Sequence, residues 1–384
     1  MTLRALLESG FRPLYPLGLA WAALAVAAWV FAPGLVHTPL PGLWWHAHEM
    51  VWGFLATIAV GFLFTALPNW TGRPTPRGAA LGAFVACWLL ARVGLWFGGR
   101  VYAAAATLDV LFFAAAALAC LRPVLQARDA RNAAPPLLLA ALALADAAYL
   151  RACATGHYGA ALRALDAGLL LPAALSAVVG NRIIPHLTTQ AVPGLVLRDT
   201  RRAARAALAL LLGGVALQLL GVTPRLEAVL WFGASASMAL QLLRWQPWRA
   251  ARHAIPALLG LGYAGIIAGV AARAAQAAGS PLPDTLWIHL LAVWGYGLLI
   301  LGVATRSSLA HLGRPLRPDR WVLASFALLI AAAALRLLAL SALPGATLAL
   351  HAAALAWVGA CALFVARFAP WMARPRAQTP QKPR

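Results

Sequence analysis

The chain has 384 residues, of which 62% are hydrophobic and 11% charged, and its mean hydropathy is +0.78. That balance excludes an ordinary soluble domain and points to a membrane protein. The formal charge of +21 would suggest nucleic acid if it were gathered on one soluble face, but it is scattered through short loops between apolar runs, so no nucleic-acid partner is expected and the lipid bilayer is.

Twelve segments are long enough to cross roughly 30 Å of hydrocarbon at about 1.5 Å per residue. In chain order they cover 13–32, 44–67, 79–97, 101–121, 136–153, 159–179, 205–221, 226–243, 255–277, 285–304, 320–341 and 346–368. The expected fold is therefore all-α, a polytopic bundle forming one transmembrane domain over 1–370, with a basic, proline-rich cytoplasmic tail at 371–384. The longest loop runs from about Gly180 to Ala204. Arg100 and Arg225 alone fall in loops on one side, and Arg92, Arg151, Arg163, Arg273 and Arg336 fall within spans. The remaining arginines and Lys382 lie at the termini and in the loops on the other side. By the positive-inside rule both termini face the cytoplasm.

The first apolar run lacks a small-residue cleavage site and reads as the first span. Cys87, Cys120, Cys153 and Cys361 all sit within spans and form no CxxC pair, so they read as small core residues. Without a CxxCH motif, any haem would be bound non-covalently, as a b-type group is.

The second span opens with LWWHAHEMVWGFL at 43–55, two imidazoles and a carboxylate at the mouth of an apolar helix. His46 and His48 there, His289 in the tenth span and His351 in the twelfth all lie roughly 3–8 Å below the outer interface. A single histidine at that depth is usually satisfied by a loop carbonyl or a headgroup. Four on three helices form a candidate metal layer, because neutral imidazole suits iron, copper and zinc. His46 and His48, two residues apart, point about 200° from each other on a regular helix and cannot serve one small site.

Glu49, three after His46, could orient an imidazole, bind metal or pass a proton. Tyr296, seven after His289 and about 10 Å deeper, is a candidate proton donor or a packed aromatic. Asp109, Asp146, Asp166 and the spanning arginines are expected to pair structurally, Arg163 with Asp166 at i,i+3, with proton conduction as the sharper alternative.

WHAHEMVWGFLATIAVGFLFTALPNWTGRP at 45–74 resembles the NnrS family, whose members show WHxHEMxxG…GFLLTAxPNWTG. HLLAVWGYGLLILGVATRSSLAHLGRP at 289–315 matches a second family block, and GNRIIPHLTT at 180–189 and GFRPLYPLG at 10–18 are weaker matches in the same order. The resemblance spans most of the chain. It implies a twelve-span bacterial inner-membrane protein with haem and copper, linked to nitric oxide metabolism, denitrification or nitrosative-stress defence. The motif histidines are His46, His48, His289 and His311; His186 departs from the family pattern, where an apolar residue is usual, and His351 rests on depth alone.

Arg182, Arg306, His311 and Arg314 gather at inner loops, where arginine forks suit haem propionates, lipid headgroups or a small anion. The expected function is a haem–copper redox protein that binds or converts nitric oxide, with a quinol or another electron donor as partner. A permease for a small anion, haem or metal, and a non-catalytic haem-binding sensor or assembly factor, are the alternatives. Pro172 and Pro256 fit the permease, and the lack of a visible repeat between the two halves counts against it.

Overall fold

In this computed structural model, residues 2–36, 40, 42–221, 223–341 and 343–377 are described. His37 and the far end of the basic tail lie outside them. Twelve helices are long and apolar enough to cross a membrane. They are α1 (Phe11–Phe31), α2 (Gly42–Thr71), α3 (Ala79–Phe97), α4 (Gly99–Ala127), α5 (Ala130–Ala154), α6 (Tyr158–Ala191), α7 (Arg201–Leu220), α8 (Pro224–Trp245), α9 (Ala254–Ala277), α10 (Leu286–His311), α11 (Arg320–Leu338) and α12 (Ala346–Met372).

In hydrocarbon every backbone N–H and C=O must be satisfied within the segment, which leaves an apolar run no option but helix. The ends follow local chemistry. Asp319 caps α11 by accepting from the N–H groups of Trp321 and Val322, both at 3.1 Å, and Gly72 closes α2 in the left-handed conformation with φ 67°. Pro172 lies inside α6, while Pro256 lies in the first turn of α9, where proline removes no helical bond.

One boundary departs from expectation. α6 continues to Ala191, so much of the loop placed at 180–204 is helical. Hydropathy follows the thickness of the bilayer, and this helix carries its regular bonding past that limit, with Pro185 inside it.

From α3 onward each helix packs against its successor, and α12 closes on α1. An even number of spans brings both chain ends to one end of the bundle, where the N–H of Thr2 donates to the carbonyl of Ala373 at 3.1 Å. We call this the terminal end and the opposite one the far end. α2 is the most enclosed span, contacting α1, α4, α5 and α6. α9 lies close along α10: a Cβ on Gly269 would stand 2.9 Å from the backbone nitrogen of Leu291.

Among the described residues, two stretches within the spans wind more widely than an α-helix. Glu49–Ala56 in α2 and Leu290–Gly297 in α10 are π-helix, with i→i+5 bonding, and each begins directly after a histidine, His48 and His289. At the end of the first, the Thr57 hydroxyl donates to the carbonyl of Trp52, 2.9 Å away, and accepts from the Trp88 indole at 2.8 Å.

Candidate functional site

The far end of α2 faces two different environments. On one side His46 borders an apolar cavity of about 320 Å³, enclosed by α1, α2, α6, α10, α11 and α12. His289 and Arg336 line the same cavity, with Trp29, Met50 and Trp357 among the apolar wall. The His46 ring stacks on Trp29, with centroids 5.7 Å apart and planes 16° from parallel, and its Nδ1 is buried without a hydrogen-bond partner. His289 Nδ1 lies 2.8 Å from the carbonyl of Thr285. A carbonyl can only accept, so Nδ1 carries the proton and Nε2 keeps its lone pair. Two imidazoles on two spans therefore border one apolar space, each with ligating capacity uncommitted.

On the other side His48 enters a wholly buried ionic cluster. Its Nδ1 lies 2.9 Å from Glu49 Oε1, and its Nε2 lies 2.9 Å from Asp146 Oδ1 and 3.3 Å from Asp109 Oδ2. Arg92 binds Glu49 Oε2 at 2.6 Å and also contacts Asp109. The Trp21 indole donates to Glu49 Oε2 at 2.6 Å. Trp52 and Tyr149 stack against the His48 ring, with centroids 5.2 and 5.7 Å away. The junction requires glycine at position 53, since a Cβ there would stand 2.6 Å from Glu49 Oε2, 2.8 Å from Trp21 Nε1 and 2.9 Å from a guanidinium nitrogen of Arg92. Of the described residues, His48, Asp109 and Asp146 form a group that could hold a metal ion, one ligand atom from each lying within 4.8 Å of the others.

Glu49 therefore orients an imidazole, but that of its neighbour His48 and not of His46. Tyr296 borders both the far-end cavity and a smaller apolar one of about 90 Å³ next to it. Its hydroxyl donates to the Leu169 carbonyl at 2.5 Å, which commits the proton expected for donation. His351 is not part of the cavity wall: its Nδ1 meets the Thr347 carbonyl at 2.7 Å and its ring packs against Phe31. Asp166 pairs with Arg273 at 3.6 Å and Gln218 at 2.7 Å, and not with Arg163, which is exposed. The four cysteines are free thiols, buried or half-buried.

The expected cations at the terminal end do not converge. Arg182 binds Asn132 Oδ1 at 2.5 Å and the Arg131 carbonyl at 2.8 Å, and its guanidinium stands 4.8 Å over the Trp70 ring. Arg306 reaches Gln190 at 3.4 Å, and Arg314 covers Trp371 at 4.5 Å. His311 alone of the four borders a cavity of about 880 Å³, together with Arg4, Arg12, Arg77 and Arg376.

From the sequence, Asp109, Asp146, Arg92 and Arg336 stand only as spanning charges, with no motif that joins them to the histidines. A signal was available. Arg92, Asp109 and Asp146 all fall in the far-end halves of their helices, the half that also holds His46, His48 and His289, although Asp109 and Asp146 sit deeper than those histidines.

A family model described as NnrS protein matches residues 5–376. No curated protein matches the chain.

Proposed function

Because the chain belongs to the NnrS family, we propose that it is a haem-containing membrane redox protein that binds or converts nitric oxide, its haem held in the far-end cavity by His46 and His289. The observation that carries this reading is the pair of uncommitted ring nitrogens, one on α2 and one on α10, bordering one apolar space. The donor set fits: imidazole is the usual protein ligand of haem iron, and an apolar surround suits the porphyrin plane. Bound there, haem would supply one-electron chemistry and affinity for nitric oxide.

The chain's own residues prepare the cavity. Trp29 holds the His46 ring by stacking, and the Thr285 carbonyl fixes the His289 tautomer so that Nε2 is the available ligand. Arg336 adds a positive charge to an otherwise apolar wall, suited to a carboxylate such as a haem propionate. The remaining wall is mostly apolar, and nitric oxide, small and apolar, can reach the cavity through the bilayer without a polar channel. An even span number and the loop arginines support termini in the cytoplasm, which would put this cavity near the periplasmic face.

The test is the haem content and visible spectrum of purified protein. His46→Ala and His289→Ala are expected to lose or alter the haem, while His351→Ala and His186→Ala retain it. Native haem content and spectra in both His46→Ala and His289→Ala would overturn the assignment. Consumption of nitric oxide by the reduced wild type would distinguish conversion from binding alone.

A further inference from the structure

We propose that His48, Asp109 and Asp146 bind a divalent first-row metal ion of the manganese, iron or zinc type, in a site separate from the far-end cavity and not designed for copper(I).

Charge gives the first reason. Three carboxylates, those of Glu49, Asp109 and Asp146, are buried against one guanidinium, that of Arg92. With a neutral His48 the cluster lacks two positive charges, and protonating the imidazole supplies only one. Excess charge is costly to bury, and a divalent cation removes it.

The second reason is independent of charge. Asp109 Oδ1 and Asp146 Oδ2 are fully buried and accept no hydrogen bond, although each belongs to a carboxylate whose other oxygen faces His48. Buried carboxylate oxygens without partners are rare, and one on each of the two carboxylates that meet His48 Nε2 leaves acceptor capacity that a cation would fill. Arg92 does not compete for them, because its contact with Asp109 is made through Oδ2.

The surroundings add the support that metal-bound imidazoles characteristically have. Glu49 Oε1 meets Nδ1 of His48, leaving Nε2 toward Asp109 and Asp146, which is the carboxylate–histidine–metal arrangement. Glu49 is held in turn by Trp21 and Arg92. One imidazole nitrogen and two carboxylates form a hard, oxygen-rich set with no thiolate or thioether, which favours manganese(II), iron(II) or zinc(II) over copper(I). When His48 starts as an imidazolium, the ion replaces its Nε2 proton: one cation enters, one proton leaves, and no electron moves. The three ligands come from α2, α4 and α5, so the ion would also join three spans.

The experiment is metal analysis of the full-length protein purified without chelators from cells grown with added manganese, iron, zinc and copper salts. Haem iron is counted separately by its pyridine complex. The expected wild-type result is about one equivalent of non-haem manganese, iron or zinc that resists dialysis against EDTA. Asp146→Asn and Asp109→Asn should lose this equivalent with the haem spectrum unchanged, whereas His46→Ala should lose haem and keep the ion. Wild-type protein without such an ion, wild-type protein whose only tightly held non-haem metal is copper, or carboxamide variants retaining the full equivalent would each overturn the proposal. The wild-type measurement decides even if a carboxamide variant fails to fold, and it is informative whether or not haem is found in the cavity.

Discussion

His46 and His48 are two residues apart, and their surroundings differ in almost every physical respect. The far-end cavity holds two imidazoles, one arginine and an apolar wall, with ring nitrogens left uncommitted. Across the helix, the cluster is dense with charge, and both nitrogens of His48 face carboxylates. The first region is arranged to receive an apolar group, and the second gathers three carboxylates around one imidazole and one guanidinium. One helix can serve both because a two-residue offset turns side chains to opposite faces. A histidine in a membrane span is thus defined by what its second nitrogen meets, and not by its depth.

The largest effect is expected from Arg92→Leu. It leaves carboxylates buried without their guanidinium, and breaking a buried ionic network by removing one partner costs about 3–5 kcal/mol. The expected outcome is a large fall in the thermal midpoint of the detergent-solubilised protein, or loss of folded protein. A thermal midpoint within a degree or two of wild type would mean that the cluster is not the tight ionic assembly described here.

Glu49→Gln should cost less, about 1–3 kcal/mol, since the amide keeps the size and one acceptor oxygen but not the charge facing Arg92 and His48. Thermal unfolding beside Arg92→Leu checks the order of the two. Arg273→Met tests whether any buried ion pair would behave alike. Arg273 stands 3.6 Å from Asp166 and 3.7 Å from Glu227, beyond good hydrogen-bonding distance, and its cluster is less enclosed. A loss of about 1 kcal/mol is expected, and a loss matching that of Arg92→Leu would remove the distinction.

The smallest effect on stability is expected from His46→Ala, because the imidazole borders existing space and its Nδ1 makes no bond to lose. The thermal midpoint of haem-free protein should scarcely move although cofactor binding is lost. Cysteine labelling fixes the side on which the cavity lies, with no change in stability. Val36→Cys should react with an impermeant reagent added from the periplasm, and Thr2→Cys should not. The reverse pattern would put the cavity on the cytoplasmic side.

Much of this architecture was legible in the sequence, because the twelve apolar runs are governed by hydrocarbon thickness and backbone satisfaction, which composition reports directly. His46 and His289 could be paired through depth alone, since equal depth on two helices is visible without knowing which helices are neighbours. The partners of Asp166 could not be found that way. Arg163 is the nearest cation along its own helix, whereas the groups that reach Asp166 come from α7 and α9, and nothing local records that packing. Glu49 was assigned by regular α-helical spacing to the side of His46, but i→i+5 bonding starts at that residue and its carboxylate turns to His48. Asp109 and Asp146 lie on different helices from His48, and nothing in the sequence of either helix names the imidazole that they meet. Their place in the far-end halves of their helices, the half that holds His48, is the one pointer the sequence carries to this contact.

The π segments after His48 and His289 make the geometry depend on the number of residues as well as on their identity. A π turn holds more chain than the α turn it replaces. Deleting one residue within 49–56 would allow α2 to become regular, with its hydrogen bonds complete and its hydropathy almost unchanged. Everything on the far side of the deletion would then rotate by about 100° relative to the rest of the helix. His46 would swing from the cavity and His48 from its carboxylates, in a helix that by every local criterion had improved. The irregular winding is thus a form of addressing, in which a surplus residue aims two imidazoles at two destinations.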